Sequence, residues 1–159
     1  MSSLHHNLSV TGLLPDASSM SFAIVVSEWN SDVTEALYKG CLDTLILAGC
    51  SKEKISRFNV PGSFELPLGA KYAMNKSKAD AVICIGCVIQ GETRHFDFIC
   101  DAVSNGIMNL GLESGIPVIF GVLTPQNQQQ ALDRAGGKHG NKGVEAAATA
   151  IKMIDLKRL

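Results

Sequence analysis

The stretch DAVICIGCVIQGETRHFDF, Asp80–Phe98, decides the fold. Its first part, Ala81–Ile85, is a continuous apolar run rich in β-branched residues, which predicts a strand buried on both faces. We expect Gly86 to end this strand and an amphipathic helix to begin near Phe96. The polar segment Gln90–His95 lies between them. Such a junction can bind an anion, because backbone N–H groups and the helix dipole both point towards it.

Two other interpretations of this junction must be considered. Gly86–Thr93 has the spacing of a nucleotide-binding P-loop, but Glu92 stands where the lysine that contacts the nucleotide phosphates is required. We therefore exclude a nucleoside triphosphatase and expect a simpler phosphate. A glycine loop after a strand is also often only a turn. The phosphate site, and a proton-transfer role for His95 beside it, are hypotheses at this point.

Composition limits the classes of function that remain. The chain has 159 residues and a net charge of −1, which favours one domain with a substantial core. No basic surface suited to nucleic acid is apparent. The sequence contains neither a recognisable secretory signal nor a membrane-spanning apolar run. We expect a cytoplasmic protein without nucleic-acid or membrane partners.

The five cysteines lie mostly in apolar segments, a pattern typical of reduced, buried thiols. Cys84 and Cys87 have C-x-x-C spacing, but Cys84 falls inside the predicted strand and no second pair follows. This context disfavours redox chemistry or zinc binding, and we expect no metal site.

Strand-like and helix-like segments alternate along the chain. The strands are predicted at Phe22–Val26, Ile55–Val60, Ala81–Ile85 and Val118–Leu123. Alternation of this kind predicts a three-layer α/β/α sandwich on a four-stranded parallel sheet, with right-handed crossovers and a flavodoxin-like strand order. We expect residues 22–159 to form this single domain.

Smaller features complete the predicted topology. Residues 1–21 are predicted to be an amino-terminal arm, in which Leu8–Val10 could form a short strand against a neighbouring subunit and Leu13–Ser19 is flexible. Ser31 is expected to cap the first helix. A glycine-rich basic loop is predicted at Gly136–Gly143, and the last helix at Ala146–Leu156.

Ligands of open parallel sheets bind beyond the carboxyl ends of the strands. This rule gathers four separated segments at one edge: Trp29-Asn30, Ser63-Phe64-Glu65, Cys87–His95 and Thr124. Trp29 could stack on a planar ring or only pack at the rim. Glu65 could bind hydroxyl groups or only stabilise a helix start. From the residues alone, the chain is an α/β enzyme or binding protein for a planar, phosphorylated or polyhydroxylated ligand.

Two basic residues, Arg134 and Lys142, flank the glycine-rich loop. They could bind phosphate or could be ordinary solvated surface charges. Their residue types and spacing do not decide between these alternatives.

From about Phe22 to its carboxyl terminus, the chain resembles the lumazine synthase family. The resemblance is carried by the order and separation of five motifs: Trp29-Asn30, VPGSFELP at Val60–Pro67, GCVIQGETRHFD at Gly86–Asp97, PVIFGVLT at Pro117–Thr124 and DRAGGKHGNKG at Asp133–Gly143. It implies condensation of 5-amino-6-(D-ribitylamino)uracil with 3,4-dihydroxy-2-butanone 4-phosphate to give 6,7-dimethyl-8-ribityllumazine, phosphate and water. It also implies that no metal or organic cofactor is needed.

The resemblance assigns roles to individual residues. His95 is the implied proton-transfer residue. The pyrimidine ring and ribityl chain are assigned to Trp29, Asn30, Ser63, Phe64, Glu65, Cys87, Val88, Ile89, Phe120 and Lys142. The phosphate is assigned to Gly91, Glu92, Thr93 and Arg134. Phe120, Arg134 and Lys142 are implied to act on a site of the neighbouring subunit.

The resemblance also implies assembly into homopentamers, and in some members into a shell of twelve pentamers that could enclose riboflavin synthase. The short loop between Arg134 and Lys142 favours the shell, whereas Pro15 and the inserted segment Leu14–Met20 count against it. Gln90 departs from the basic residue usual in the family, which could weaken the local positive field.

Two competing functions stay open. One is a non-catalytic flavin- or lumazine-binding shell of the same fold, which the presence of His95, Arg134 and Lys142 together disfavours. The other is a flavodoxin-like electron carrier. That protein would need a serine- and threonine-rich phosphate loop after the first strand, and Ser27–Asn30 is not one.

Overall fold

A computed structural model describes Asn7, Ser9 and residues 11–159. The elements follow in the order β1 (Phe22–Ser27), α1 (Ser31–Leu47), β2 (Ile55–Val60), α2 (Leu66–Ser77), β3 (Ala81–Cys87), α3 (His95–Ser114), β4 (Val118–Leu123), α4 (Gln128–Asp133), β5 (Ala135–Gly137), β6 (Gly140–Asn141) and α5 (Lys142–Arg158). Single 3-10 turns precede β2 and α2. Of the predicted short strand Leu8–Val10, both ends lie outside the described residues and Ser9 lies in a turn.

The main sheet has the strand order β2-β1-β3-β4, and its strands are all parallel. Side chains alternate across β1: Ile24 joins the core beneath α1 and α5, whereas Val25 joins the core beneath α2 and α3. Both faces are therefore covered, which explains why the whole of β1 is buried. The three-layer sandwich and its flavodoxin-like strand order are confirmed.

The end of β3 differs from the prediction. The strand continues through Gly86 to Cys87, and these residues pair with Val122 and Leu123 of β4. Gly86 is needed there because of close packing: a Cβ at this position would lie 2.6 Å from Ser63 Oγ. The glycine admits a neighbouring side chain instead of ending the strand.

Two helix starts also differ from the prediction. Ser31 is the first residue of α1, and Asn30 precedes it as the N-cap in a left-handed conformation, with φ of 59°. Helix α5 begins at Lys142, four residues before Ala146, because the Asn141 side chain accepts the Gly143 N–H at 2.8 Å. The predicted glycine-rich loop is mostly the short antiparallel hairpin β5–β6.

Part of the segment predicted to be flexible packs on the domain. Ala17 is buried, and its N–H donates to the Ala48 carbonyl at the end of α1, at 2.8 Å. Met20 is also buried in the core beneath α1 and α5. The Asp80 carboxylate accepts the Ser21 N–H at 2.8 Å and thereby links the segment to the start of β3. The chain before β1 therefore contributes to the core.

Within the described part of the chain, no helix is both long and apolar enough to cross a membrane. The same residues contain no cluster of three or more His, Cys, Asp or Glu side chains that could hold a metal ion.

Candidate active site

The loops after β1, β2 and β3 meet at the carboxyl edge of the sheet. Asn30 joins two of them, because its Nδ2 donates to the Cys87 carbonyl at 3.0 Å. The left-handed conformation of Asn30, which asparagine tolerates better than most residues, turns the chain from β1 into α1. Asn30 therefore fixes the first loop against the end of β3.

Trp29 and Glu65 converge on the backbone of Gly62. The Trp29 N–H donates to the Pro61 carbonyl at 3.1 Å, and a Cβ on Gly62 would lie 2.5 Å from Trp29 Cζ3. Glu65 Oε2 accepts the Gly62 N–H at 3.2 Å. The indole thus rests on a glycine, yet 67% of Trp29 stays exposed. An aromatic ring and a carboxylate lie together at an open edge.

Two buried hydroxyl groups lie behind this pair. Ser63 is only 6% exposed, and Ser27 lies at the end of β1; a Cβ on Gly86 would be 2.6 Å from Ser63 Oγ and 3.4 Å from Ser27 Oγ. Neither hydroxyl has a hydrogen-bond partner among the described residues. Phe64, the neighbour of Ser63, is 55% exposed. Buried hydroxyl groups normally have partners, so two unpaired hydroxyl groups at this edge are unusual.

The loop after β3 is held against the end of β4. The Val88 N–H donates to the Leu123 carbonyl at 2.8 Å, and the Gln90 N–H donates to the Pro125 carbonyl at 2.9 Å. The following residues, Gly91-Glu92-Thr93, are exposed and lead directly into the 20-residue helix α3. The first N–H groups of a helix and its dipole attract anions. The loop geometry is therefore compatible with phosphate.

His95 is the first residue of α3 and is exposed beside this loop. Its backbone N–H donates to Thr93 Oγ1 at 3.4 Å. His95 therefore starts α3 two residues after Thr93, the last residue of this exposed Gly91-Glu92-Thr93 segment.

The cysteines of this edge are poor nucleophiles. Burial raises the pKa of the Cys84 thiol to about 12. Burial, with a smaller effect from the Asp32 carboxylate, raises the pKa of Cys87 to about 12 as well. Since the thiolate is the reactive form, both thiols are unreactive near neutral pH.

Arg134 and Lys142 share one carboxylate, that of Glu145. Arg134 NH2 lies 2.6 Å from Glu145 Oε1, and Lys142 Nζ lies 3.2 Å from Glu145 Oε2. Arg134 NH1 also donates to the His139 carbonyl at 2.7 Å. All three charged side chains are largely buried, which strengthens their mutual attraction. Glu145 is a site residue that the sequence analysis missed.

The family model described as 6,7-dimethyl-8-ribityllumazine synthase matches residues 19–158. The chain is 60% identical over 155 residues to the 6,7-dimethyl-8-ribityllumazine synthase of Cytophaga hutchinsonii, covering 97% of this chain and 98% of the relative. The protein of that name from Porphyromonas gingivalis is 48% identical over 161 residues, with both chains fully covered. A third, from Flavobacterium johnsoniae, is 54% identical, covering 91% of this chain and 76% of the relative.

The chain belongs to the lumazine synthase family. One group of the residues predicted from this family resemblance comes together within a single chain. It lies on the three loops described above and at the adjoining ends of β3 and α3, and comprises Trp29, Asn30, Ser63, Phe64, Glu65, Cys87, Val88, Ile89, Gly91, Glu92, Thr93 and His95.

The other predicted lumazine synthase residues lie outside these loops, and Arg134 lines a pocket with Thr124 and Pro125 at the end of β4. Among the described residues, no hydrogen bond or ion pair joins Arg134 or Lys142 to the first group. Phe120, 36% exposed, pairs with Cys84 and faces the α2 and α3 side of the sheet. Within the described part of one chain, the predicted residues therefore form two sets without a direct hydrogen bond or ion pair between Arg134 or Lys142 and the first set.

Proposed function

We infer that the chain catalyses the lumazine synthase reaction of riboflavin biosynthesis. It condenses 5-amino-6-(D-ribitylamino)uracil with 3,4-dihydroxy-2-butanone 4-phosphate, and 6,7-dimethyl-8-ribityllumazine, phosphate and water are formed. The observation that carries this inference is the convergence of Trp29, Glu65 and a loop ending in His95 at one sheet edge, in a chain of this family. The reaction needs no metal or organic cofactor.

The pyrimidine substrate occupies the Trp29 side of the edge. The exposed indole stacks on the planar ring, as aromatic faces favour. The Ser63 hydroxyl and the Glu65 carboxylate bind the ribityl hydroxyl groups, with Asn30 and Phe64 beside them. The Val88 N–H is already bonded to Leu123, so the Val88 carbonyl and the Ile89 N–H contact the ring edge next to Cys87.

The phosphate substrate occupies the exposed loop before α3. The backbone of Gly91, Glu92 and Thr93 faces its phosphate, and the dipole of α3 favours the negative charge. Arg134 supplies the cation, which is needed because Gln90 carries no charge.

His95 accepts protons from the bound intermediates and returns protons to them during the reaction. The ring amine of the uracil adds to the ketone, and loss of water gives an imine. Elimination then breaks the C–O bond to phosphate as a carbon-bound proton is removed. The ribitylamino nitrogen attacks the remaining carbonyl carbon, and loss of a second water closes the second ring. An imidazole accepts and returns protons near neutral pH, so His95 suits these steps. Holding two reactants together supplies up to roughly 7–11 kcal/mol of the rate enhancement in favourable cases.

The active site is divided between two chains. Phe120, Arg134 and Lys142 complete the site of a neighbour, which explains why their contacts within one chain do not involve the three loops. Phe120 lies on the edge strand β4. Beside the start of that strand is a groove lined by exposed Met108 and Leu112. Exposed apolar surface of this kind indicates contact with another chain.

A contact in which each chain completes the site of the next is a head-to-tail contact, and in a closed ring every chain makes it with both neighbours. We propose a homopentamer, with twelve pentamers in a shell that can enclose riboflavin synthase, in the cytoplasm. The short hairpin between Arg134 and Lys142 favours the shell. Residues 22–159 form the catalytic domain of each chain, preceded by the arm, residues 1–21.

A direct assay tests the reaction. Purified protein is mixed with both substrates, and lumazine fluorescence and released phosphate are followed together. We expect both to rise in equal amounts, whereas omission of either substrate gives neither. Folded protein that binds riboflavin but gives no lumazine would instead support the non-catalytic binding shell.

A further inference from the structure

Asn7 and Ser9 of the amino-terminal segment both lie against Gly140 of hairpin β5–β6, and Ser9 also forms hydrogen bonds there. Ser9 Oγ accepts the Asn141 N–H at 2.6 Å. The same hydroxyl lies 2.9 Å from the Asn141 carbonyl and 3.2 Å from Glu145 Oε1, to which it can donate. The Ser9 N–H donates to Asn7 Oδ1 at 2.9 Å, which stabilises the local turn. Ser9 therefore joins the amino-terminal segment to the end of the hairpin and to the first turns of α5.

The residue of the hairpin that Ser9 packs against is a glycine, Gly140. Gly140 has a φ of +86°, and a Cβ on this residue would overlap Ser9 Oγ and lie 3.0 Å from Ser9 Cβ. No other residue type allows this close approach in this backbone conformation without strain. The Ser9 contact is therefore close packing against the hairpin as well as a set of hydrogen bonds.

Ser9 contacts the same carboxylate oxygen as Arg134. Glu145 Oε1 lies 2.6 Å from Arg134 NH2, and Lys142 is paired with the other oxygen, Oε2. The Glu145 carboxylate thus contacts three side chains, and the single Ser9 hydroxyl proton is shared between Glu145 Oε1 and the nearer Asn141 carbonyl. Because the Arg134 guanidinium is bound to the Glu145 carboxylate, a change at Ser9 that moves this carboxylate also moves the guanidinium.

We propose that Ser9 is a positioning residue for the phosphate-binding Arg134, acting through Glu145. The proposal rests on the role of Arg134 in the proposed function. Loss of the Ser9 hydroxyl removes one contact from Glu145 Oε1, and the carboxylate and the guanidinium shift within their remaining bonds to Lys142 and to the His139 carbonyl. The Arg134 guanidinium is then less well ordered, so the phosphate-bearing substrate binds more weakly. The position of His95 and its proton transfers are unaffected.

The test uses Ser9→Ala in the full-length assembled protein, and Ser18→Ala is the matched control. Ser18 is in the same segment, but its hydroxyl bonds to Asp16 instead of Glu145. We expect Ser9→Ala to raise the KM of the phosphate substrate about 3- to 10-fold, as for loss of one hydrogen bond. The value of kcat and the KM of the pyrimidine substrate should change by less than about twofold. Ser9→Thr, which keeps the hydroxyl, should restore the wild-type KM.

Calorimetric binding of inorganic phosphate separates this inference from the proposed function. Arg134→Ala is expected to weaken phosphate binding strongly, Ser9→Ala moderately, and Ser18→Ala not at all. If Arg134→Ala weakens binding but Ser9→Ala equals the wild type, the role of Ser9 is wrong and that of Arg134 stands. If Arg134→Ala also equals the wild type, both fail. A loss in Ser9→Thr as large as in Ser9→Ala would exclude the hydroxyl as the cause.

Discussion

Gly62 determines where the indole of Trp29 lies, and Gly62→Ala tests that dependence. The added Cβ would be 2.5 Å from Trp29 Cζ3 and 3.3 Å from Glu65 Oε2. Carbon atoms in contact rest at about 3.5–4.0 Å, so the indole must move by about 1 Å or more. The φ of −136° and ψ of 177° at Gly62 suit alanine, so the backbone itself is not strained.

The displacement should affect binding far more than stability. Trp29 is 67% exposed and can move towards solvent, so we expect the free energy of unfolding to change by less than about 1 kcal/mol. Misplacing a substrate-positioning group by about 1 Å can cost roughly 100-fold in rate. We therefore expect kcat/KM for the pyrimidine substrate to fall about 10- to 100-fold.

The assay compares four proteins: the wild type, Gly62→Ala, Trp29→Phe and the double variant. Steady-state kinetics with varied pyrimidine substrate gives kcat/KM, and thermal unfolding checks that each protein is folded. The smaller phenyl ring leaves room for the new methyl group, so Gly62→Ala should cost much less in the Trp29→Phe background. An unchanged kcat/KM in Gly62→Ala, or equal losses in both backgrounds, would refute the packing argument.

Three further predictions concern single groups. His95→Ala should fold normally but slow turnover about 10- to 10⁴-fold; wild-type turnover at saturating substrate would remove His95 from the mechanism. The hydrogen bond from Arg57 lowers the pKa of Glu35, so this pair stabilises the fold above the unfolded pKa and loses its effect as pH falls through the folded pKa. Glu35→Gln should therefore destabilise the protein at pH 7 by at most about 1 kcal/mol and not in strong acid, as urea unfolding at both pH values can show; equal effects at both would contradict this pairing. Cys84 and Cys87, both with a pKa of about 12, should resist iodoacetamide at pH 8 until the protein is unfolded, and rapid labelling of the native protein would contradict their burial.

The buried strands could be predicted from the sequence because their residue pattern depends little on context. Ile55–Val60 has the predicted bounds, and the core strands coincide with apolar runs. The predicted ends of strands and helices were wrong where a side-chain contact that the residue pattern does not reveal decides the boundary. Gly86 stays within its strand because Ser63 occupies the space beside it. Asn141 starts α5 early through a hydrogen bond from its side chain to the helix backbone.

The candidate site could be predicted where it follows from topology. A parallel sheet brings its strand ends to one edge, so Trp29, Glu65 and His95 could be placed there without coordinates. Glu145 could not be placed at the site in this way, since the last helix was expected to begin at the next residue, Ala146, and Glu145 was left outside it. A Lys142-x-x-Glu145 pair at the start of a helix was the available signal. Its contact with Arg134 depends on the hairpin between them.

The division of the active site between two chains is the central claim, and co-refolding of two inactive variants tests it most directly. His95→Ala and Arg134→Ala are denatured, mixed in equal amounts and refolded together, and mass spectrometry verifies that mixed rings form. In a closed ring, about one quarter of the sites would then combine His95 of one chain with Arg134 of its neighbour. We predict lumazine formation near that fraction of wild-type activity, well above either variant refolded alone. Activity equal to the sum of the separate variants, in rings shown to be mixed, would contradict the shared site.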